Sequence, residues 1–154
     1  MTDDKIDMER PVDPASEERV EARAQTFRRL REEHAREMAE DYVEMIAELI
    51  EEEGEARAVS LAERFGVTAA TVANTLRRLK RDGLITNQPY RSIFLTDEGR
   101  KLAEACKARH DLVCNFLIAV GVDPETAAED TEGIEHHCSE DTLAVFQKYL
   151  DQRR

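Results

Sequence analysis

The sequence predicts a mainly α-helical fold carrying one small β-hairpin. Three observations predict it. Between Ser16 and Glu53 there is neither Pro nor Gly, and the stretch is rich in Ala, Glu, Arg and Leu, the residues that lose least in a helix. Two short β-prone runs, around Ile85 and around Phe94, flank a Pro-containing turn and read as paired strands. From Thr96 onward apolar residues recur at helical spacing almost to the last residue.

Each element follows from local signals. Residues 1–15 are polar, hold two of the four prolines and show no periodicity, so disorder is expected, in an extension drawn to residue 20. In the long helix, Met38, Tyr42, Met45, Ile46, Leu49 and Ile50 form an apolar stripe, and Gly54 ends it. Ser60-Leu61-Ala62-Glu63 has the S-x-x-E pattern of a capping box and predicts a short helix stopping near Gly66. Arg57-Ala58-Val59 before it is a candidate third strand. Thr68 suits the N-cap of a second helix reaching about Asp82, with Val72, Leu76 and Leu79 on its buried face. Thr96 caps a helix to about Val120, its first turn acidic at Asp97 and Glu98. Asp123-Pro124 restarts a helix through about His137, and Ser139 caps a last amphipathic one bearing Leu143, Val145, Phe146 and Leu150.

Two short helices joined by a Gly-containing turn, followed at once by a hairpin, make a winged helix-turn-helix. The expected organisation is a disordered extension (1–20), a winged helix-turn-helix domain including the long first helix (21–95), and an all-helical domain (96–154).

Charge fits this division. The net of −12 would by itself argue against nucleic acid. It is unevenly spread: residues 1–63 carry −11, residues 64–101 carry +5, and residues 102–154 carry −6. A basic middle between acidic flanks implies an anionic partner for one and cations for the others. No apolar run approaches a membrane span, the N-terminus has no secretory h-region, and three cysteines without C-x-x-C spacing fit no disulfide or zinc framework. A reduced, cytoplasmic setting is expected.

In a winged helix the second helix enters the major groove N-terminus first. Thr68, Ala69, Thr71 and Asn74 are then candidates for base edges. Arg77, Arg78, Lys80 and Arg81, with Arg91 in the wing, are candidates for phosphates. Taken alone, RRLKR is what the macrodipole favours at any helix C-terminus. Its agreement with the turn, the hairpin and the local charge inversion favours double-stranded DNA.

The acids and histidines form a second pattern. Glu132, Glu135 and His136 stand at i, i+3 and i+4 and would share one helical face. Asp41 and Glu44 are likewise i and i+3, and His110 lies on the helix after the wing. Converged, these are four carboxylates and two imidazoles, strongly self-repelling without a cation. A carboxylate-bridged di-metal enzyme in a helical bundle would use two Glu-x-x-His pairs, which this chain lacks, and would leave the basic helix-turn-helix unexplained. A metal-independent winged-helix regulator with an incidental acidic pocket is the other alternative.

The stretches EDYVEMIAELI, SLAERFGVTAATVANTLRRLKRDGLI, ARHDLVCNFL and DTEGIEHHCSEDTL, collinear over about residues 38 to 146, resemble the manganese-responding branch of the diphtheria-toxin-repressor (DtxR) family of metal-activated transcription factors. The resemblance implies Mn2+ ligands at Asp41, Glu44, His110, Glu132, Glu135 and His136. It implies two ions per chain, His110 and Asp41 on one and His136 on the other, with carboxylates shared. Iron-responding members place Met where Asp41 stands and Cys where Glu135 stands. Oxygen donors at both positions make a harder site that favours Mn2+ by ligand type, although Fe2+ and other divalent ions remain possible occupants. The 154 residues leave no room for the SH3-like domain of the iron-type members, so the short two-domain form is expected. The resemblance further implies that the all-helical domain (96–154) is a dimerisation and metal-binding domain, with a homodimer on a palindromic operator, repression of manganese-uptake genes, no enzymatic activity and no small organic substrate. Cys106 and Cys114 are expected as small core or interface residues, Cys138 as packing, His137 as packing or as a support behind the ligands, and His34 as exposed, none as a ligand.

Overall fold

The computed structural model describes residues 14–86 and 91–153. Within them the order is α1 (Pro14–Glu53), α2 (Ala58–Phe65), α3 (Ala69–Arg81), β1 (Ile85–Thr86), β2 (Phe94–Leu95), α4 (Asp97–Ala119), α5 (Pro124–Ile134), a 3-10 turn (Glu135–His137) and α6 (Glu140–Asp151). The chain divides into two compact units, Met1–Arg36 and Glu37–Arg154.

In the first unit the expected disorder is partly overturned, because residues 14–20 are already helical. Pro14 opens the helix, where its missing N–H costs nothing, and Glu17 supplies negative charge to the first turn. The rest of the expected disordered stretch lies outside the described residues. This half of α1 is held by exposed pairs such as Arg28–Glu21 at 2.5 Å and Arg29–Glu33 at 2.7 Å.

In the second unit Tyr42, Val43, Ile46 and Leu49 of α1 are fully buried against Leu61, Val72, Leu76, Leu79, Ile85, Ile93 and Leu95. Tyr42 also stacks on Phe65, centroids 4.5 Å apart. The expected apolar faces of α1 and α3 are thus the core of the helix-turn-helix. Gly66, at φ 63°, makes the turn, and its N–H and that of Val67 return to Glu63 and Ala62 carbonyls. Thr68 caps α3 by accepting from Thr71 N–H at 3.2 Å.

The capping box is not used. α2 starts at Ala58, with Arg57 as an extended N-cap and no side-chain cap bond, so Ser60 falls inside the first turn. The cause lies just upstream: Ile93 N–H bonds Ala56 O at 2.8 Å, and the chain turns into helix directly after that tether. The third strand therefore shrinks to the single Ala56–Ile93 bridge, with Ala58 and Val59 helical. The hairpin itself is antiparallel, pairing Ile85 with Leu95 and Thr86 with Phe94.

The wing runs into α4 through Thr96. Its hydroxyl donates to Gly83 O at 2.6 Å and accepts from Gly99 N–H at 3.0 Å. Gly99 faces the Leu84 carbonyl so closely that a Cβ would sit 2.0 Å from the oxygen. α4 packs against α5 and α6. Asp123 caps α5, with Pro124 at its start, and Ser139 caps α6, both as the sequence predicts. Phe116 of α4 stacks on Phe146 of α6 at 3.8 Å.

α5 does not run on to His137. It tightens at Glu135 into a 3-10 turn, because Cys138 must be extended (φ −77°, ψ 131°) to place Ser139 as the next cap.

Candidate metal centre

Three elements supply the side chains. α1 brings Asp41 and Glu44, on the flank of the stripe that buries Val43 and Ile46. α4 brings His110. The end of α5 brings Glu132, and the 3-10 turn brings Glu135 and His136, both buried. Glu132 and Glu135, three residues apart across the end of α5, both face His110. Its Nδ1 lies 3.7 Å from Glu132 Oε1 and 3.5 Å from Glu135 Oε1. One donor atom from each of these three falls within 4.8 Å of the others.

Around them opens a cleft of about 460 Å3 lined by Asp41, Glu44, His110, Glu132 and His136, with Glu37, Glu48 and Asp111 adding acid at its edge. On its α1 side His136 Nε2 is 3.1 Å from Asp41 Oδ1 and 3.7 Å from Glu135 Oε1. All six expected ligands are thus brought to one place. Within it Asp41 pairs with His136, while His110 faces Glu132 and Glu135.

The electrostatics show the strain of this convergence. Burial, then the neighbouring Glu135 charge, pushes the Glu44 carboxyl up to about 7. Burial likewise raises Asp41 and Glu135 above the ordinary carboxyl range. For His136 burial works against the charged ring, but the bond to Glu40 and the Asp41 and Glu135 charges outweigh it and the net shift is upward.

The donor set fits a hard divalent cation. Four carboxylates and two imidazoles are available, and Glu135 Oε2 is buried with no hydrogen-bond partner. A buried carboxylate oxygen left unpaired is costly, and a cation in the cleft would satisfy it.

Two residues that sequence reasoning missed complete the surroundings. Glu40 is only 6% exposed, accepts from His136 Nδ1 at 2.9 Å and pairs with Arg109 Nη2 at 2.5 Å. Burial pushes its carboxyl up, yet the His136 and Arg109 partners prevail and hold it below its usual value. The available signal was Arg109 itself, a cation placed one residue before a candidate ligand. Cys106 is buried, its Sγ 3.8 Å from Arg109 Nη2, Cys114 and Cys138 are half-buried, and His34 and His137 are exposed. The packing expected for His137 is therefore not seen.

The DNA-facing candidates lie together on α3 and the wing. Thr68, Ala69, Thr71, Asn74, Arg77, Lys80, Arg81 and Arg91 are exposed and Arg78 half-buried. Asn74 Oδ1 accepts from Arg77 Nη2 at 2.6 Å, and the Thr68 and Thr71 hydroxyls lie 3.0 Å apart.

Residues 34–93 match the model of the iron dependent repressor N-terminal DNA binding domain, and residues 96–154 match the iron dependent repressor metal binding and dimerisation domain. The chain belongs to the iron-dependent repressor family. It is 52% identical over 133 residues to the transcriptional regulator MntR of Escherichia coli O6:H1, covering 86% of this chain and 86% of that protein. To the HTH-type transcriptional regulator MntR of Bacillus subtilis strain 168 it is 41% identical over 100 residues, 65% of this chain and 70% of that one. A manganese-dependent transcriptional repressor solved with manganese superposes with a TM-score of 0.66 at 31% identity, over 73% of this chain and 52% of that one. For the manganese regulator SloR the values are 0.64, 26%, 73% and 53%. The chain spans about half the length of those two solved proteins. Like the iron-dependent repressors it groups with, it is a DNA-binding regulator and not an enzyme, and its second domain is of the metal-binding and dimerising type. Among the described residues no helix is long and apolar enough to cross a membrane.

Proposed function

We propose that this chain is a manganese-dependent transcriptional regulator, mainly a repressor, of genes for manganese uptake and homeostasis, acting in the cytoplasm as a homodimer on a palindromic operator. The observation that carries it is the convergence of Asp41, Glu44, His110, Glu132, Glu135 and His136 on one cleft. The MntR names of its relatives support manganese as the physiological ion. Asp41 and Glu135 provide oxygen at the two positions that would otherwise soften the site.

Two ions per chain are proposed on the family resemblance, and the donor count allows it: four carboxylates and two imidazoles can offer more donor atoms than the six one octahedral ion takes. When bound, the metal supplies positive charge that these carboxylates lack. Asp41 and Glu44 belong to the helix that forms the core of the helix-turn-helix, whereas Glu132, Glu135 and His136 belong to the family's dimerisation domain. Ligation shared between them ties α3 to the dimer core and favours an arrangement whose two recognition helices match successive major grooves. The size of the switch is set by the difference in metal affinity between that arrangement and the others. Thr68, Ala69, Thr71 and Asn74 read bases, and Arg77, Arg78, Lys80 and Arg91 hold phosphates.

Glu135→Ala and His110→Ala test this reading with a duplex that the wild type selects from a random pool in Mn2+. Both variants should fold, bind Mn2+ more weakly and lose manganese-dependent DNA binding. Retention of that dependence in both would leave the acidic cleft incidental.

A further inference from the structure

Consecutive residues of α1 flank the imidazole of His136, and it is Glu40 that hydrogen-bonds it. Asp41 lies 3.1 Å from Nε2 on the cleft side, and Glu40 lies 2.9 Å from Nδ1 on the other. Glu40 is not a member of the cleft lining. It is buried, and the oxygen that faces His136 also takes the Arg109 guanidinium of α4 at 2.5 Å. A carboxylate can only accept, so this contact requires the proton on Nδ1.

We propose that Glu40, clamped by Arg109, is the positioning residue of the metal centre: it holds His136 as the Nδ1–H tautomer and so leaves the Nε2 lone pair for the ion. The inference rests on the metal reading above. A ring nitrogen can donate to a metal only where it carries no proton, and the partner of the other nitrogen decides which one that is. Arg109 serves two ends. It fixes the Glu40 carboxylate so the ring cannot rotate with it, and it cancels a charge that would otherwise join the repulsion among Asp41, Glu44 and Glu135. The relay Arg109–Glu40–His136 also spans α4, α1 and the 3-10 turn, so the ring is set before any ion arrives.

Glu40→Gln is the discriminating substitution because it removes the charge and preserves shape. One oxygen serves both contacts, so the amide oxygen can still face Arg109 and Nδ1. A neutral amide is the weaker acceptor and no longer balances the guanidinium, so the Nδ1–H form of the ring is held less firmly. The full-length protein, labelled with 15N-histidine and loaded with Zn2+ as a diamagnetic probe, should show a protonated Nδ1 and a metal-shifted Nε2 at His136. Titration with Mn2+ alone should show Glu40→Gln binding about 10- to 100-fold more weakly than wild type, with an unchanged circular dichroism spectrum. A wild-type His136 bound through Nδ1, or protonated at Nε2, overturns the proposal whether or not the variant folds. So does a Glu40→Gln affinity within twofold of wild type. If the wild type itself binds no Mn2+, the metal reading has failed instead.

Discussion

Lowering the pH from 8 to 6 should weaken Mn2+ binding about tenfold through Glu44 alone. The Glu44 carboxyl sits at about 7 because it is partly buried and faces the Glu135, Glu48 and Glu132 charges, with His110 offering only partial relief. A metal ligand must be deprotonated, so binding expels whatever proton is held. With a midpoint near 7, about nine-tenths of the molecules present carboxylate at pH 8 and about one-tenth at pH 6. Their ratio is the predicted loss. Asp41, Glu135 and His136 are all shifted upward too, so the measured dependence should be at least this steep. Isothermal titration of Mn2+ at pH 6, 7 and 8, repeated in buffers of different ionisation enthalpy, reads both the affinity and the protons released. An affinity flat across that range, with heats independent of buffer, would refute the reasoning.

The same shift acts on stability. A carboxyl raised from 4.5 to about 7 holds its proton in the fold after the unfolded chain has lost its own, so the metal-free protein loses stability as pH rises through that window. Glu44→Gln should therefore raise the metal-free melting temperature at pH 8 by ~2–4 °C, for a screened gain of about 1 kcal/mol, while weakening Mn2+ binding. Gly99→Ala places a methyl 2.0 Å from the Leu84 carbonyl oxygen and should cost about 1–3 kcal/mol in urea unfolding, since the wing must move off α4. Thr68→Ala removes the α3 cap and should cost about 1 kcal/mol in the same assay. Arg77→Ala should weaken DNA binding evenly across sequences and lower the log-log salt slope by about 1; an unchanged slope would place Arg77 off the phosphates.

Much of the helix-turn-helix was legible because its boundaries are written in local chemistry. Thr68, Thr96 and Ser139 cap through their own hydroxyls, and Gly66 turns where a left-handed residue is needed. Where local signals misled, a tertiary contact had overruled them. Ser60 has the right neighbours for a cap, but the Ala56–Ile93 tether starts α2 almost a full turn early. Periodicity carries α5 through His137, whereas the extended Cys138 ends it in a 3-10 turn from Glu135. The ligand candidates were legible as a spacing of acids and histidines. Glu40 was not, since on a helix carrying Glu37, Glu40, Asp41, Glu44 and Glu48 one acid looks like another. Which of them turns inward is decided by Arg109, 69 positions along the chain.

The central claim is that metal at this cleft controls DNA binding. Fluorescence anisotropy of the wild-type protein on its selected duplex, once with chelator and once with saturating Mn2+ at fixed ionic strength, measures it directly. The account predicts tight binding with Mn2+ and only weak, salt-sensitive binding without it. Equal affinity under both conditions would contradict it.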